Sequence, residues 1–486
     1  MTASATSRAS ALALLREFGS EAMSFIALEP EMRLWFPEGP HPRACIAYVD
    51  TGSAWVAAGA PIAEPSNRSA VANAFVRDAR AAGRRACFFG IEPPELEGFA
   101  HLLLGEQPSW SPAEWPGILA RHRRLREQLR RAAAKGVRVR KVLASELSTG
   151  SVLRAKCEAL AREWLALRHM PPMRFVVALE PFVFADEHRY FVAERGDDVV
   201  AFLSAVPVYA TRGWLVEDLP RNRSAPNGTV EMLLDAMMRD AAESESVSAF
   251  ATSFVSPNVS PYVSMGLAPL TGPVSAFFRL ARFVGRPLYD FRGLRSFKER
   301  LRPSSWRRVC LAFPRSEMAA LHVVESLRAF AGGSLVAFGL RTLGRLRLHP
   351  SGPPWALAVP LVPWTLLLAV VAFSGRADLL GYSARVLLAW VVFDALLFAQ
   401  LLRSAARPRP RRLLGSDVLA VVDAALSLHH LAVHGFGNNA VASALRGLAT
   451  VAPCMGAIVL TWATAQAAQR AKETRYSQAT RITISS

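Results

Sequence analysis

Two short segments gather residues that can handle charge. The first runs from Trp214 to Glu231, where Asp218 and Arg221 stand three places apart and Pro226-Asn227-Gly228, Thr229 and Glu231 follow. Trp214 to Val216 reads as the end of a buried strand. Pro226 to Gly228 reads as a turn, and Thr229 caps a helix whose apolar period runs through Val230, Leu233, Leu234 and Met237. A carboxylate and a guanidinium delivered beside the free N–H groups of a helix start suit a polar or anionic substrate. The same pair also fits a plain loop brace, and this stretch alone does not choose. The second segment, Tyr289 to Lys298, adds Tyr289, Arg292, Arg295 and Lys298 before a basic, aromatic-interleaved stretch that reaches Arg308.

The elements that must position these residues come in two similar sets. Ala44–Val49 and Ala54–Ala58 read as a hairpin around Asp50-Thr51-Gly52-Ser53. A helix over Ser69–Ala82 and a buried strand at Ala86–Gly90 follow. The order recurs: strands at Tyr190–Glu194 and Val199–Val206, a helix over Thr229–Ala242, and a strand at Ala249–Phe254. Hairpin, helix, strand, twice over, predicts an α/β protein of two related halves, which resemble the acetyltransferase (GNAT) type. The plan is a first half over 1–120 and a second over 121–315 that includes a basic helix. An interfacial linker over 316–350, a membrane module over 351–470 and a basic tail over 471–486 complete it.

Between the halves, Arg121 to Lys141 holds ten Lys or Arg and one acid in 21 residues. Leu125, Leu129 and Ala132 or Ala133 keep helical spacing, so one face is core and the other basic, with Gly136 as the stop. Like charges one turn apart destabilise a helix, so a phosphate partner explains the pattern better than a solvated face. Here tRNA comes ahead of lipid, with Arg123, Arg126, Arg130 and Arg131 as its contacts. The whole chain carries 57 Lys and Arg against 39 Asp and Glu, a net charge of +18, which also favours polyanionic partners. Cys45, Cys87, Cys157, Cys310 and Cys454 have no CxxC spacing, so a zinc site or disulfide framework is not expected, and a reduced cytosolic setting fits. Arg8 and Arg16 are not followed by a continuous apolar core, so the start does not read as a secretory signal.

Glu317 to Leu340 reads as an amphipathic segment at a membrane surface. Four apolar spans follow, Trp355–Phe373, Val386–Leu402, Val418–Phe436 and Gly447–Ala465, each near the ~20 residues that cross a bilayer. Arginines crowd the loop between the second and third spans (Arg403, Arg407, Arg409, Arg411, Arg412) and the tail, so both ends and the N-terminal region are expected on the cytoplasmic side. Asp423, Ser427, His430 and His434 share one helical stripe, and Asp394 lies in the second span. Inter-helix contacts account for them better than a metal site.

The two charged segments together resemble the synthase domain of bacterial phosphatidylglycerol lysyl- and alanyltransferases. That family carries an acidic residue and an arginine three places later after the central strand, here Asp218 and Arg221. A Pro-Asn-Gly turn and an acid in the next helix follow, here Pro226–Gly228 and Glu231. Its aromatic-Asn/Asp-Phe-x-Gly-Leu-x-x-Phe-Lys segment is Tyr289 to Lys298. The resemblance covers about Glu17 to Pro314. It implies transfer of an aminoacyl group from charged tRNA to a hydroxyl of an anionic phospholipid at the bacterial inner membrane, with aminoacyl-tRNA as co-substrate and no other cofactor or metal. It implies Asp218, Arg221 and Lys298 as catalytic and Glu231, Asn227, Tyr289, Arg292 and Arg295 as substrate-binding residues. Asp218 either holds the donor's α-amino group or accepts the acceptor's proton, and Arg221 and Lys298 suit developing negative charge. Family members usually carry a many-span flippase ahead of this domain, which is not seen here. An acyl-CoA enzyme on the same fold would need a Gln/Arg-x-x-Gly-x-Gly/Ala loop, which is absent, and a non-catalytic scaffold would not need the three charged residues together.

Overall fold

The computed structural model describes residues 2–338 apart from 39–42, 94–95, 169–172, 246–260 and most of 276–288. It also describes 339–346, 383–406, 410–434 and scattered residues between 354 and 371 and between 450 and 465. The chain forms two compact units, Met1–Phe338 and Gly339–Ser486.

The first unit is built on one mixed sheet. After helix α1 (Thr2–Phe18) come β1 (Arg33–Trp35), β2 (Ala44–Asp50), β3 (Ala54–Ala58) and the short β4 (Ile62–Ala63). The chain crosses over through α2 (Arg68–Ala81) to β5 (Arg85–Ile91), which lies parallel to β3. β6 (Phe99–Trp110) ends this half. The second half repeats the plan. β8 (Arg189–Arg195), β9 (Asp198–Val208) and β10 (Gly213–Asp218) run antiparallel, and β11 (Tyr262–Ser264) lies parallel to β10 beyond α6 (Thr229–Glu245). The strand expected at Ala249–Phe254 lies outside the described residues. β12 (Ala268–Pro269), α7 (Phe291–Arg300) and β13 (Ser305–Pro314) complete this half.

The last strands are exchanged between the halves. β13, from the second half, pairs antiparallel with β5 of the first, and β6, from the first half, pairs antiparallel with β11 of the second. β6 and β13 pair with each other along ten register positions, Ser305 opposite Ser109 through Pro314 opposite Phe99. The two crossover helices occupy matching places and bury matching sequence positions. Val71, Ala72, Phe75, Val76 and Ala79 of α2 are buried at the same spacing as Leu233, Leu234, Met237, Met238 and Ala241 of α6. That spacing, one and four residues apart, is the face a helix lays on a sheet.

The basic segment is three elements rather than one helix. α3 (Trp115–Arg121) stops at His122, α4 (Arg123–Ala134) carries the first arginines, and β7 (Val137–Val142) pairs with β8. Gly136, at φ +82°, ends α4 with a conformation that glycine takes at no steric cost. Beyond it β-branched and basic residues alternate, a period of two that suits a strand whose Arg138 and Arg140 stay outside. α5 (Val152–Ala166) then covers β9.

The second unit contributes α10 (Ala384–Ala406) and α11 (Pro410–His434), reached through α9 (Leu335–Leu346). Arg385–Ser404, of mean hydropathy 1.9, and Leu413–His430, of 1.2, are long and apolar enough to cross a bilayer. They correspond to the second and third expected spans, and the first and fourth fall mostly outside the described residues. The polar groups here find one another. Ser404 Oγ lies 2.7 Å from Ser416 Oγ, Thr365 Oγ1 donates to buried Asp394 at 3.3 Å, and Thr461 Oγ1 donates to Asp417 at 2.8 Å. Asp423 and Ser427 are buried, as a shared helical stripe requires, and the side chain of His434 lies outside the described residues.

Gly228 is where α4 docks on the turn before α6. Its φ is +98°, and a Cβ there would stand 2.3 Å from the carbonyl oxygen of Gln128. Gly228→Ala should therefore lower stability by at least ~2 kcal/mol, from positive φ and a backbone clash that no rotamer relieves. Thermal unfolding of the detergent-solubilised chain measures this; an unchanged midpoint would mean that α4 is free to move away.

Candidate functional site

The carboxyl end of β10 meets the segment that enters the first half's core. Residues Ala22–Leu28 form a 3₁₀ helix packed on β9 and β10, and this places Glu29 against the second half's sheet. On β10 the register with β9 shifts between Val216, opposite Ala205, and Asp218, opposite Ser204. Such a bulge re-aims the residues around it. Glu217 and Asp218, which a regular strand would send to opposite faces, both act on the buried carboxyl of Glu29.

Asp218 is buried and accepts a hydrogen bond from Ser204 Oγ at 2.9 Å. Burial first, and then the Glu217 carboxylate, hold its carboxyl well above the usual range. Glu29 is pushed up to about 9, by burial first and then by Glu217, Asp218, Glu180 and Glu31. Its Oε2 is shut off from solvent and has no hydrogen-bond partner. His188 borders the group: its Nε2 lies 3.7 Å from Glu217 Oε2 and its Nδ1 lies 3.1 Å from the Phe184 carbonyl oxygen. The His188 ring stacks on Tyr190 at 5.4 Å and meets the edge of Phe25 at 5.2 Å. Buried carboxyls this close together are uncomfortable when empty and become favourable once a cation enters.

Beyond the strand, Pro220 O and Asn222 N bond to β9, so Arg221 is held beside Ala201 as a one-residue extension of the sheet. Its side chain is exposed, whereas Asp218 is buried, so the two form no pair. Arg221 instead acts on Arg168, whose guanidinium lies 3.8 Å over the Trp164 ring, and Tyr289 acts on the same Arg168. Among the described residues neither arginine forms an ion pair with a carboxylate. Two cations near each other with no anion between them make a receptor for phosphate or a developing oxyanion.

The other expected site residues lie as follows. Lys298 is buried on α7, and its Nζ donates to the carbonyls of Met265, Gly266 and Leu267 at 2.9, 2.9 and 3.0 Å. Burial pulls its ammonium down to about 7, while three accepting carbonyls favour the charged form. The structure therefore puts Lys298 on the end of β11, beside β10, and brings it onto neither Asp218 nor Arg221. Arg295 pairs with Glu106 at 2.6 Å and Glu299 at 2.7 Å, with its guanidinium 4.1 Å over the Trp306 ring. Arg292 and Asn227 are exposed, and Glu231 is buried in the first turn of α6. On α4, Arg123 and Arg131 pair with Glu127, and Arg126 donates to the Leu119 carbonyl at 2.5 Å and to that of Ala120. Arg124, Arg130, Lys135 and Arg138 are exposed, with no ion pair among the described residues. Sequence reasoning missed Glu29, Ser204, His188 and Arg168. The only signal for Glu29 and His188 was a polar residue beside an apolar run.

Comparison with known proteins gives a consistent picture. The model of the family described as phosphatidylglycerol lysyltransferase, C-terminal, matches residues 12–313. A phosphatidylglycerol lysyltransferase of Bacillus subtilis (strain 168) is 36% identical over 125 residues, which is 24% of this chain and 13% of that protein. The match thus spans about an eighth of that relative's length. The C-terminal domain assigned to a lysylphosphatidylglycerol synthetase of Agrobacterium fabrum has the same fold, with a TM-score of 0.56 and 23% identity over 68% of this chain and 99% of that one. So has the L-PGS structure from Bacillus licheniformis, with a TM-score of 0.54 and 20% identity over 66% of this chain and 96% of that one.

The buried acids make stability depend on pH in a definite direction. Glu29 has a folded pKa raised above its unfolded value of ~4.3, so its contribution is fully present below that value and is lost as pH rises towards about 9. Asp218 acts in the same direction. Glu29→Gln should therefore raise the unfolding midpoint more at pH 9 than at pH 5. An equal shift at both would place the Glu29 carboxyl in water.

Proposed function

The chain belongs to the phosphatidylglycerol lysyltransferase C-terminal family, over residues 12–313, and on that footing we propose that it is a membrane-embedded aminoacyltransferase. It moves an aminoacyl group from the ester of a charged tRNA to a hydroxyl of an anionic phospholipid such as phosphatidylglycerol. The observation that carries this reading is the carboxyl cluster of buried Glu29 and Asp218 with half-buried Glu217, in which one Glu29 oxygen has no partner; Arg221, three residues after Asp218, and Arg168 form no ion pair with a carboxylate among the described residues. A cationic amino group fits the first and a phosphate or oxyanion fits the second. An aminoacyl ester on a nucleic acid carries both.

In the reaction the lipid hydroxyl oxygen attacks the ester carbonyl, a tetrahedral oxyanion forms, and it collapses with loss of the ribose oxygen of the tRNA. The proton of the lipid hydroxyl ends on that ribose oxygen. Ester is exchanged for ester, so the protein's task is to place the partners and steady the oxyanion. Asp218, ionised once the amino group arrives and held by Ser204, fixes the donor. His188, whose Nε2 lies on the Glu217 side, is the group we assign to carry the proton. Arg221 and Arg168 take the negative charge. Lys298 and Arg295 act at a distance, by tying the end of β11 and by joining α7 to β6. The cytoplasmic face, where charged tRNA is found, is the side on which the first unit works, and the apolar helices of the second unit anchor it. The two halves, each a hairpin with a parallel crossover pair, support the acetyltransferase-type reading of the fold.

Transfer of a radiolabelled aminoacyl group from tRNA to extractable lipid tests the centre. Asp218→Asn and Arg221→Ala should each lower turnover by roughly two to three orders of magnitude, the usual effect of losing one preorganised charge. Near-normal turnover in both would reduce them to loop braces, since a surface pair is worth only ~0–1 kcal/mol.

The basic surface is tested separately. Replacing Arg124, Arg130, Lys135 and Arg138 by Ala should weaken tRNA binding and flatten its log–log salt slope by roughly 3, at about 0.7–0.9 per phosphate contact. Arg126→Ala should instead loosen the joint between α3 and α4, because its guanidinium holds the carbonyls of Leu119 and Ala120. Unchanged affinity in the fourfold variant would move this face to another anion.

A further inference from the structure

The helix that follows β13, α8 (Ala319–Phe330), lies on the first half with its sides reversed. The residues that it turns to the protein include His322, Glu325 and Ser326, all buried, beside Ala329. Glu325 accepts from Thr51 Oγ1 at 2.6 Å and Ser53 Oγ at 2.7 Å, and lies 3.5 Å from Arg85 and 3.3 Å from Arg328. Arg328 donates onward to the Thr51 carbonyl at 3.0 Å. His322 stacks on Phe313 at 5.0 Å and stands 2.9 Å from the Glu317 carboxylate. A polar network thus anchors the inner face to the turn between β2 and β3.

The outer face is apolar. Met318, Leu321, Val324 and Leu327 recur every three residues, and Met318 is 68% and Leu327 51% exposed. No exposed residue of α8 is charged. A helix between a protein and water has the opposite arrangement. One exposed leucine needs no explanation, but an uncharged stripe along a whole helix does.

Two observations name what covers it. Four residues, Ala331 to Ser334, lead from α8 to α9, which carries apolar Leu335 and Phe338 and the exposed Arg341. Apolar and basic residues on one short helix suit the boundary of an anionic bilayer. The same chain then supplies α10 and α11, apolar enough to cross that bilayer.

We propose that the outer face of α8 lies in the headgroup–acyl boundary of an anionic membrane, so that the first unit rests on the surface that holds its lipid acceptor. This rests on the membrane-embedded reading above. The inner network serves the same end: it fixes α8 to the first half by charge and hydrogen bonds, which leaves its apolar side chains for lipid.

The test uses the full chain with Cys454→Ser, reconstituted in vesicles of phosphatidylglycerol and phosphatidylethanolamine. Nitroxides are placed through Leu321→Cys, Val324→Cys and Leu327→Cys, with Asn73→Cys on the exposed side of α2 as reference. The ratio of collisions with oxygen to collisions with a water-soluble nickel chelate should be several-fold higher at 321, 324 and 327 than at 73. Nickel access equal to that at 73 overturns the inference. So does shielding from both reagents, which would put a second copy or another protein segment on the face. Alkaline carbonate separates the two readings: a chain stripped from the vesicles removes the embedded premise and the inference with it. A retained chain with nickel-accessible labels sinks the inference alone.

Discussion

The pairing of β6 with β13 is the constraint on which the first unit depends. Each is the last strand of its own half, and each completes the other half's sheet, so neither half closes alone. Ten register positions between them make a slip by one residue costly, since it would turn every buried side chain outward. The first half's Ala22–Leu28 helix also packs onto β9 and β10 and so delivers Glu29 to the end of β10 in the second half.

The electrostatics of that edge follow from where the charges are allowed to stay. Glu29 and Asp218 are buried among other acids and hold protons more tightly than usual, while Arg168 and Arg221 form no ion pair with a carboxylate among the described residues. Folding would gain by pairing the two sets, and the structure keeps them apart. Arg221 is tied to the outer side of β9 by the backbone of Pro220 and Asn222, and Arg168 is stacked on Trp164. Such separation costs stability and supplies preorganisation, because the groups need not rearrange when a charged substrate arrives. Elsewhere the same chain pairs its charges freely, as Arg295 does with Glu106 and Glu299.

Several conspicuous side chains act by holding the frame. Lys298 gathers three consecutive carbonyls at the end of β11, which lies parallel to β10 and helps to set its place. Gly228 lets the Gln128 carbonyl of α4 approach the turn before α6, so the basic helix is packed directly against that turn. Three of the five arginines of α4 are likewise structural: Arg123 and Arg131 share Glu127, and Arg126 caps α3. Arg124 and Arg130 on that helix, with Lys135 and Arg138 just beyond it, form no ion pair among the described residues.

Local pattern alone determined the two hairpins, both crossover helices, the turn at Pro226–Gly228 and the apolar helices of the second unit, because each is written in short-range periodicity and turn chemistry. The strand end and turn around Asp218 and Arg221 were legible for the same reason, whereas their reading as a site came from the family resemblance. Tertiary structure alone decided the strand exchange, since β6 and β13 lie some two hundred residues apart in sequence and carry no local mark of their partner. It decided that Val137–Val142 is a strand, where β8 supplies the pairing that a basic segment could not announce. It decided that Lys298 reaches backbone carbonyls instead of Asp218 or Arg221, and that Glu29 and His188 come up against Glu217. A charged side chain's role depends on what the fold brings within a few ångströms of it, and that distance is set by long-range packing that no spacing along the chain records.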